Sequence, residues 1–276
     1  MFPPDREWHE ATDLCSPPMS SPRLSFFLAY CFPAAIAFPQ TTPMTSPTAA
    51  TRTTHKPLLV EIWSDVVCPF CYIGKREFEN ALDRFPHKDS VEVIWKSFEL
   101  DPNAPSRSDM STYQMLAHKY GMSLDQARER VRDVVERAAE VGLRYNMDAT
   151  VIANSFDAHR LIQFAKTQGL GDAAEECLFK AYFTEGANIA DMGTLVRLGS
   201  EIGLAETAVR DLLATADFSD AVRADEREAQ ELGVRGVPFF ALDRRSAVNG
   251  AQSADHFLGA LEQAWRERAQ VASPVR

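Results

Sequence analysis

Two cysteines separated by two residues, Cys68 and Cys71 in Cys-Pro-Phe-Cys, are the side chains of this chain best suited to covalent chemistry. Thiols at this spacing exchange disulfides: one thiolate attacks or leaves, and the other resolves the mixed disulfide from inside. Such a pair is also half of a zinc site. No second C-x-x-C, C-x-x-H or H-x-x-H pair exists to complete four ligands, so no metal is expected. Cys15, Cys31 and Cys177 have no close partner in the sequence, and five cysteines in 276 residues do not make the disulfide framework of a small secreted scaffold.

The residues around the pair predict how it is held. From Leu58 an apolar run suited to a strand leads through Ser64-Asp65 to Cys68, and beyond Pro69 the pattern turns helical. Proline suits a first helical turn, where its missing N–H has no intrahelical partner. Cys71, Gly74, Phe78, Ala81, Leu82 and Phe85 share one stripe, while Tyr72, Arg76, Glu79 and Asp83 face the other way. Cys71 is therefore expected to point into the core. Cys68 falls at the helix N-terminus, where free backbone N–H groups and the positive end of the dipole favour a thiolate. Cys68 is the expected attacking sulfur and Cys71 the resolving one.

A second strand is expected from Val91 towards Leu100, joined to the first by the helix, which implies parallel strands and a right-handed crossover. From about Ser111 to Gly233 every segment reads as helix, with stops at Gly121, Gly142, Gly169, Gly186 and Gly203. A run of helices between strands predicts an inserted helical subdomain over one end of the sheet. Phe239–Leu242 and Ser246–Asn249 then read as a hairpin about Asp243-Arg244-Arg245, followed by a helix from about Ser253 to Arg268. Pro238 opens the hairpin, where no ladder donor is required. The expected organisation is a core in two parts, 57–105 and 216–270, an insertion over 106–215, a leading segment 1–56 with little fold, and a tail 271–276.

Apolar residues at 45% and charged residues at 25% suit a soluble chain with a sizeable core. A net charge of −10 with no long Lys/Arg block argues against nucleic acid and anionic membranes. The leading segment is dense in Pro, Ser and Thr, and its one apolar stretch, Leu24 to Phe38, is too short and Pro-broken to span a bilayer. Read from Met19 it resembles a secretory signal ending at Ala35-Ile36-Ala37; read from Met1 it fits poorly, and a start at Met44 would discard it. A cytoplasmic protein is expected, and a secreted one only if the Met19 segment acts as a signal.

The element order, the C-x-x-C at the first helix and the Val-Pro before a late strand resemble the thioredoxin superfamily, and more closely the DsbA-like thiol oxidoreductases of the FrnE branch. The resemblance covers about Pro57 to Trp265 and rests on SDVVCPFCYIGK, FELDP after the second strand, NSFDAHRL, LFKAYFTEG and GVRGVPFF. Phe70 stands where the branch usually has Trp. The resemblance implies an α/β thioredoxin-like fold with a large all-helical insertion, and a thiol-disulfide oxidoreductase acting on protein or small-molecule thiols. It places Pro69 and Phe70 at the substrate face and makes Val237-Pro238 a cis bond, with the Val237 backbone pairing to an extended substrate. Glu61 becomes the buried acid that takes a proton from the resolving cysteine, at an offset one residue longer than usual. No cofactor is implied, and glutathione enters only as a co-substrate. Glutathione-using transferases and isomerases of the kappa and 2-hydroxychromene-2-carboxylate type share this architecture but typically carry Ser at the position of Cys68, so both cysteines together favour redox chemistry. A partner-binding protein using the helical groove is the non-enzymatic alternative. His159 reads as a hydrogen-bonded structural histidine and Cys177 as a buried structural cysteine. Gly74-Lys75 lacks the preceding glycines of a phosphate loop.

Overall fold

In the computed structural model of the chain, residues 56–272 are described. Cys15, Cys31, the Met19 signal reading and the last four residues lie outside the described residues. Leu58–Ser64 forms β1, almost wholly buried along its length. Both of its faces are covered, which is why it reads as a continuous apolar run and not as an alternation. β1 pairs in parallel with β2 (Val91–Ser97), from Leu58 opposite Val91 to Ser64 opposite Ser97. The crossover between them is α1 (Pro69–Arg84) followed by a 3-10 turn at Lys88–Ser90.

Seven helices follow: α2 (Thr112–Tyr120), α3 (Leu124–Glu140), α4 (Phe156–Thr167), α5 (Gly171–Phe183), α6 (Met192–Glu201), α7 (Glu206–Ala214) and α8 (Ser219–Glu231). Ser111 with Gln114, and Ser123 with Gln126, close capping boxes at α2 and α3, so these boundaries are written in local sequence. Gly121 ends α2 in the left-handed conformation at φ 64°. The chain then returns to the sheet as β3 (Phe239–Leu242), antiparallel to β1, and β4 (Ser246–Asn249), antiparallel to β3, giving the order β2-β1-β3-β4. α9 (Ala254–Ala272) closes the fold and runs into the stretch expected as a tail. The architecture is a thioredoxin-like α/β core with a large inserted helical subdomain. Among the described residues no helix is long and apolar enough to cross a membrane.

Three packed groups divide the interior. On one face of the sheet, Leu58, Val60 and Ile62 pack with Phe78 of α1 and Phe257 and Leu261 of α9. On the other, Trp63 packs with Ala229 of α8, Val234 and Ala241. The largest group fills the insertion and extends to Val66, Cys68, Cys71, Tyr72 and Ile73. The stripe on α1 is therefore divided: Phe78, Ala81 and Phe85 face the sheet and α9, whereas Cys71 faces the core of the insertion. Tyr72, expected on the outward face, is 3% exposed because the insertion covers that face as well.

Candidate active site

Cys68 is the N-cap residue of α1, with Pro69 in the first turn and no acidic side chain there. Its N–H donates to Asp65 O at 2.9 Å, and its carbonyl accepts from Cys71 N–H at 3.0 Å, which sets the tight bend from strand to helix. Both cysteines are free thiols, Cys68 at 4% and Cys71 at 1% exposure. Burial, then the adjacent Cys68, push the Cys71 thiol well above the ordinary thiol range. The inner thiol is thus a strong base once ionised.

The Val237–Pro238 bond is cis, and the Cys68 thiol donates to Val237 O at 3.6 Å. Gly74, one turn into α1 from the cysteines, lets the two elements approach: a Cβ there would stand 3.0 Å from Pro238 Cγ. Phe70 is the exposed member of the motif at 38%, with the Arg137 guanidinium 5.7 Å from its ring centre. Arg137 also donates to the Ala251 carbonyl, so α3 is tied to the turn after β4.

The insertion supplies side chains that motif reading missed. Tyr145, in the loop after α3, donates to Pro69 O at 2.7 Å. Its ring stacks on Phe183 at 4.6 Å, and Tyr72 stacks on Phe179 at 4.9 Å, so α5 buttresses the helix start with aromatic faces. Burial, then the nearby Cys68, Tyr72 and Cys71, hold the Tyr145 hydroxyl far above its usual range, which keeps it a donor. Nothing in the sequence singled out Tyr145, whose contacts come from loop placement. Asp65 was passed over too. Fully buried, its carboxylate accepts from Val67 N–H at 3.3 Å and from Leu100 N–H at 2.7 Å, and it stands 3.3 Å from His159 Nε2. The signal for this was present in SDVVC and NSFDAHRL, but no spacing links residues so far apart in the chain.

Glu61 lies elsewhere. Its carboxylate is held by Arg244, at 2.5 Å from Nε and 2.6 Å from the second guanidinium nitrogen, with Lys96 Nζ at 3.8 Å. It projects from the face of β1 opposite to Val60 and Ile62, which pack with Phe78 of α1, because neighbouring positions on a strand face opposite ways. The extra residue in its offset from Cys68 thus places it on the α8 side of the sheet, where Arg244 also pairs with Glu228 at 2.5 Å. Cys177 is half-buried, its sulfur 3.8 Å from Leu198 O, and burial followed by Glu201 pushes it up to about 11. Among the described residues no cluster of three metal-ligating side chains occurs.

Residues 59–262 match the model of the DSBA-like thioredoxin domain. The chain belongs to this family. A crystal structure of a probable DsbA oxidoreductase from Streptomyces coelicolor shares 43% identity, covering 79% of this chain and 93% of its own, with a TM-score of 0.74. The Bacillus subtilis protein YwbO is 29% identical over 214 residues, 73% of this chain and 94% of its own. The fold reaches further, to a 2-hydroxychromene-2-carboxylate isomerase at 17% identity and a TM-score of 0.58, covering 78% of this chain and all of its own. Fold alone therefore does not separate redox exchange from that isomerisation. Family membership and the adjacent thiols do: this DSBA-like protein is a thiol-disulfide oxidoreductase that works through a cysteine pair, on thiol substrates of protein or small-molecule kind.

Proposed function

We propose that Cys68 is the sulfur that exchanges with substrate and that Cys71 resolves the mixed disulfide, with Pro69, Phe70, Val237 and Pro238 forming the substrate face. The observation that carries this reading is the geometry at Cys68: a thiol capping a helix, 3.6 Å from Val237 O and beside a cis proline, with the more deeply buried Cys71 behind it. An extended substrate segment laid along Val237 would bring its own sulfur to Cys68 and not to Cys71. Cys68→Ser should abolish exchange, whereas Cys71→Ser should accumulate mixed disulfides with thiol substrates. Equal trapping by both variants, read on non-reducing gels and by intact mass, would reverse or remove the assignment.

The FrnE branch is part of the same proposal. Its support is that the quoted segments meet at the thiols: NSFDAHRL brings His159 to Asp65, and LFKAYFTEG brings Phe179 and Phe183 under the aromatic rings. We take the insertion to run over 106–215 and the protein to be cytoplasmic. Fractionation of cells expressing the full chain, with mass measurement of its N-terminus, tests the location.

A further inference from the structure

Arg137, in the last turn of α3, turns away from the acids of its own helix. Asp133 stands four residues before it and Glu140 three after, both at spacings that form ion pairs along a helix. Arg128 pairs with Asp125 and Arg132 with Glu136 on the same helix, but Arg137 has no carboxylate partner among the described residues. It reaches towards the site instead. Its guanidinium lies 5.7 Å from the centre of the Phe70 ring and donates to the Ala251 carbonyl. Ala251 adjoins the cis proline: the N–H of its neighbour Gly250 donates to Pro238 O at 2.8 Å, and a Cβ on Gly74 would stand 3.5 Å from Ala251 Cα and 3.0 Å from Pro238 Cγ. One half-buried cation thus bridges the two parts of the substrate face, Phe70 from the motif and the turn that packs against Pro238.

We propose that Arg137 is a specificity-determining residue that binds a carboxylate close to the reacting sulfur of the substrate, so that the preferred substrates are acidic thiols and disulfides. The inference rests on the reading of Phe70 and Pro238 as the substrate face and of Cys68 as the attacking sulfur. In the reducing direction the Cys68 thiolate attacks the substrate sulfur nearest the carboxylate. A bond forms between Cys68 and that sulfur, the substrate disulfide breaks, and its electron pair leaves on the second substrate sulfur, which takes a proton from solvent. Arg137 has no part in these transfers; it holds the carboxylate while they occur.

The chemistry of the guanidinium suits this ligand. Its N–H donors form a fixed planar fork that matches both oxygens of a carboxylate. Among the described residues only the bond to Ala251 engages it, which leaves donors for a ligand. The contacts with Phe70 and Ala251 restrain the long side chain in advance, so less freedom is lost when the carboxylate binds. No acid opposes the ligand from the helix start, because the first turn of α1 carries none. In a chain of net charge −10, an unpaired cation beside the motif gives an anion a local attraction that the overall charge does not offer.

The test compares the rates at which the reduced protein opens 2-pyridyl disulfides of two capped peptides, one with glutamate on both sides of its cysteine and one with glutamine, read by release of pyridine-2-thione. A second arm compares glutathione with its dimethyl ester in the same form, so that the carboxylates are terminal and not part of a chain. Each rate is divided by that of dithiothreitol, which removes the intrinsic reactivity of the probe. Wild type should favour the carboxylate probe about fivefold, and the preference should shrink in high salt. Arg137→Gln should bring the ratio close to one, Arg137→Lys should keep part of it, and Arg128→Gln should keep it whole. Both rates come from one preparation, so loss of folded protein cancels from the ratio. A preference among the capped peptides supports the proposal with an acidic chain segment as ligand, and one confined to glutathione supports it with a small peptide thiol. No preference in either arm, a preference that survives Arg137→Gln, or a wild-type preference that ignores salt overturns it. Reaction of both capped peptides that survives Cys68→Ser removes the reading of Cys68, and this inference with it. Equal rates for acid and amide that still depend on Cys68 remove the carboxylate site alone.

Discussion

The two faces of α1 are buried by different physics. One packs Phe78, Ala81 and Phe85 against the sheet and α9, with Phe78 5.6 Å from Phe240 and 5.8 Å from Phe257 between ring centres. The other buries Lys75 to 2% exposure among acids: Glu79 on its own helix, and Asp172 at 3.1 Å and Glu176 at 3.5 Å on α5. Arg76 pairs with Glu176 too, and the Tyr72 hydroxyl donates to it at 2.7 Å. The apolar face joins the active-site helix to the thioredoxin-like core, and the polar face joins it to the insertion. An apolar seam tolerates small shifts because it is non-directional, whereas an ion-paired seam fixes register and depends on every partner being present. The site thus has a firm floor and a side wall whose strength depends on charge.

The largest effect should come from the apolar face. Phe78→Ala removes a ring packed between two others and should cost about 3–5 kcal/mol, read as a lower denaturant midpoint with both thiols still reactive in the surviving folded fraction. A loss below about 1 kcal/mol would mean that α1 is held chiefly from the other side. Lys75→Met tests the polar face. Three carboxylates lose their shared cation, but each is partly exposed, so the expected cost is smaller, roughly 1–3 kcal/mol. The mutant penalty should shrink in high salt, where repulsion among Glu79, Asp172 and Glu176 is screened. A salt-independent penalty would point to lost packing of the lysine stem.

The sequence made one of these faces readable and hid the other. The β1–α1 junction and the hairpin bounds follow from periodicity and turn chemistry within a few residues, and the structure has them where those patterns put them. The hairpin turn is an exception in detail. Asp243 and Arg244 both take positive φ without glycine, and the reason is long-range: Asp243 accepts from Leu59 N–H and pairs with Arg268, while Arg244 holds Glu61. The polar face of α1 failed for the same reason. Tyr72 and Arg76 read as part of an outward stripe until α5, about a hundred residues later, brings Glu176 against them. Glu61 was legible as a buried acid, but its role depended on which side of β1 carries the thiols, and one extra residue of offset reverses that side. His159 was legible as buried and hydrogen-bonded; its partner Asp65 was not.

A gentler perturbation separates the two faces by pH. Glu175→Gln removes an acid whose folded pKa lies near 7, above its unfolded value of about 4.3. The folded state therefore binds more protons between those values, and wild-type stability falls as pH rises through them. The variant lacks this loss, so it should gain stability relative to wild type at pH 8 and not at pH 4. Equal offsets at both pH values would show that Glu175 does not titrate in the fold.

The smallest effect should come from Tyr72→Phe, which removes one donor to Glu176 and leaves the stacked ring in place. Burial works against the Glu176 carboxylate, but the Arg76 and Tyr72 hydrogen bonds, with the Arg76 and Lys75 charges, outweigh it and hold this acid below the ordinary carboxylate range. A depressed pKa contributes stability that is fully present above the unfolded value of about 4.3 and is lost as pH falls through the folded value. The phenylalanine variant should therefore cost about 1 kcal/mol at pH 6, less than a fully buried charged hydrogen bond because Glu176 is partly exposed. That cost should fade below pH 4 as the carboxylate protonates and no longer needs the donor. Phe78→Ala, with no titrating partner, should keep its penalty at both pH values. If the Tyr72→Phe penalty is instead flat from pH 6 to pH 3, the hydroxyl contributes through the shape of the aromatic column, and the charge-dependent account of this face is wrong.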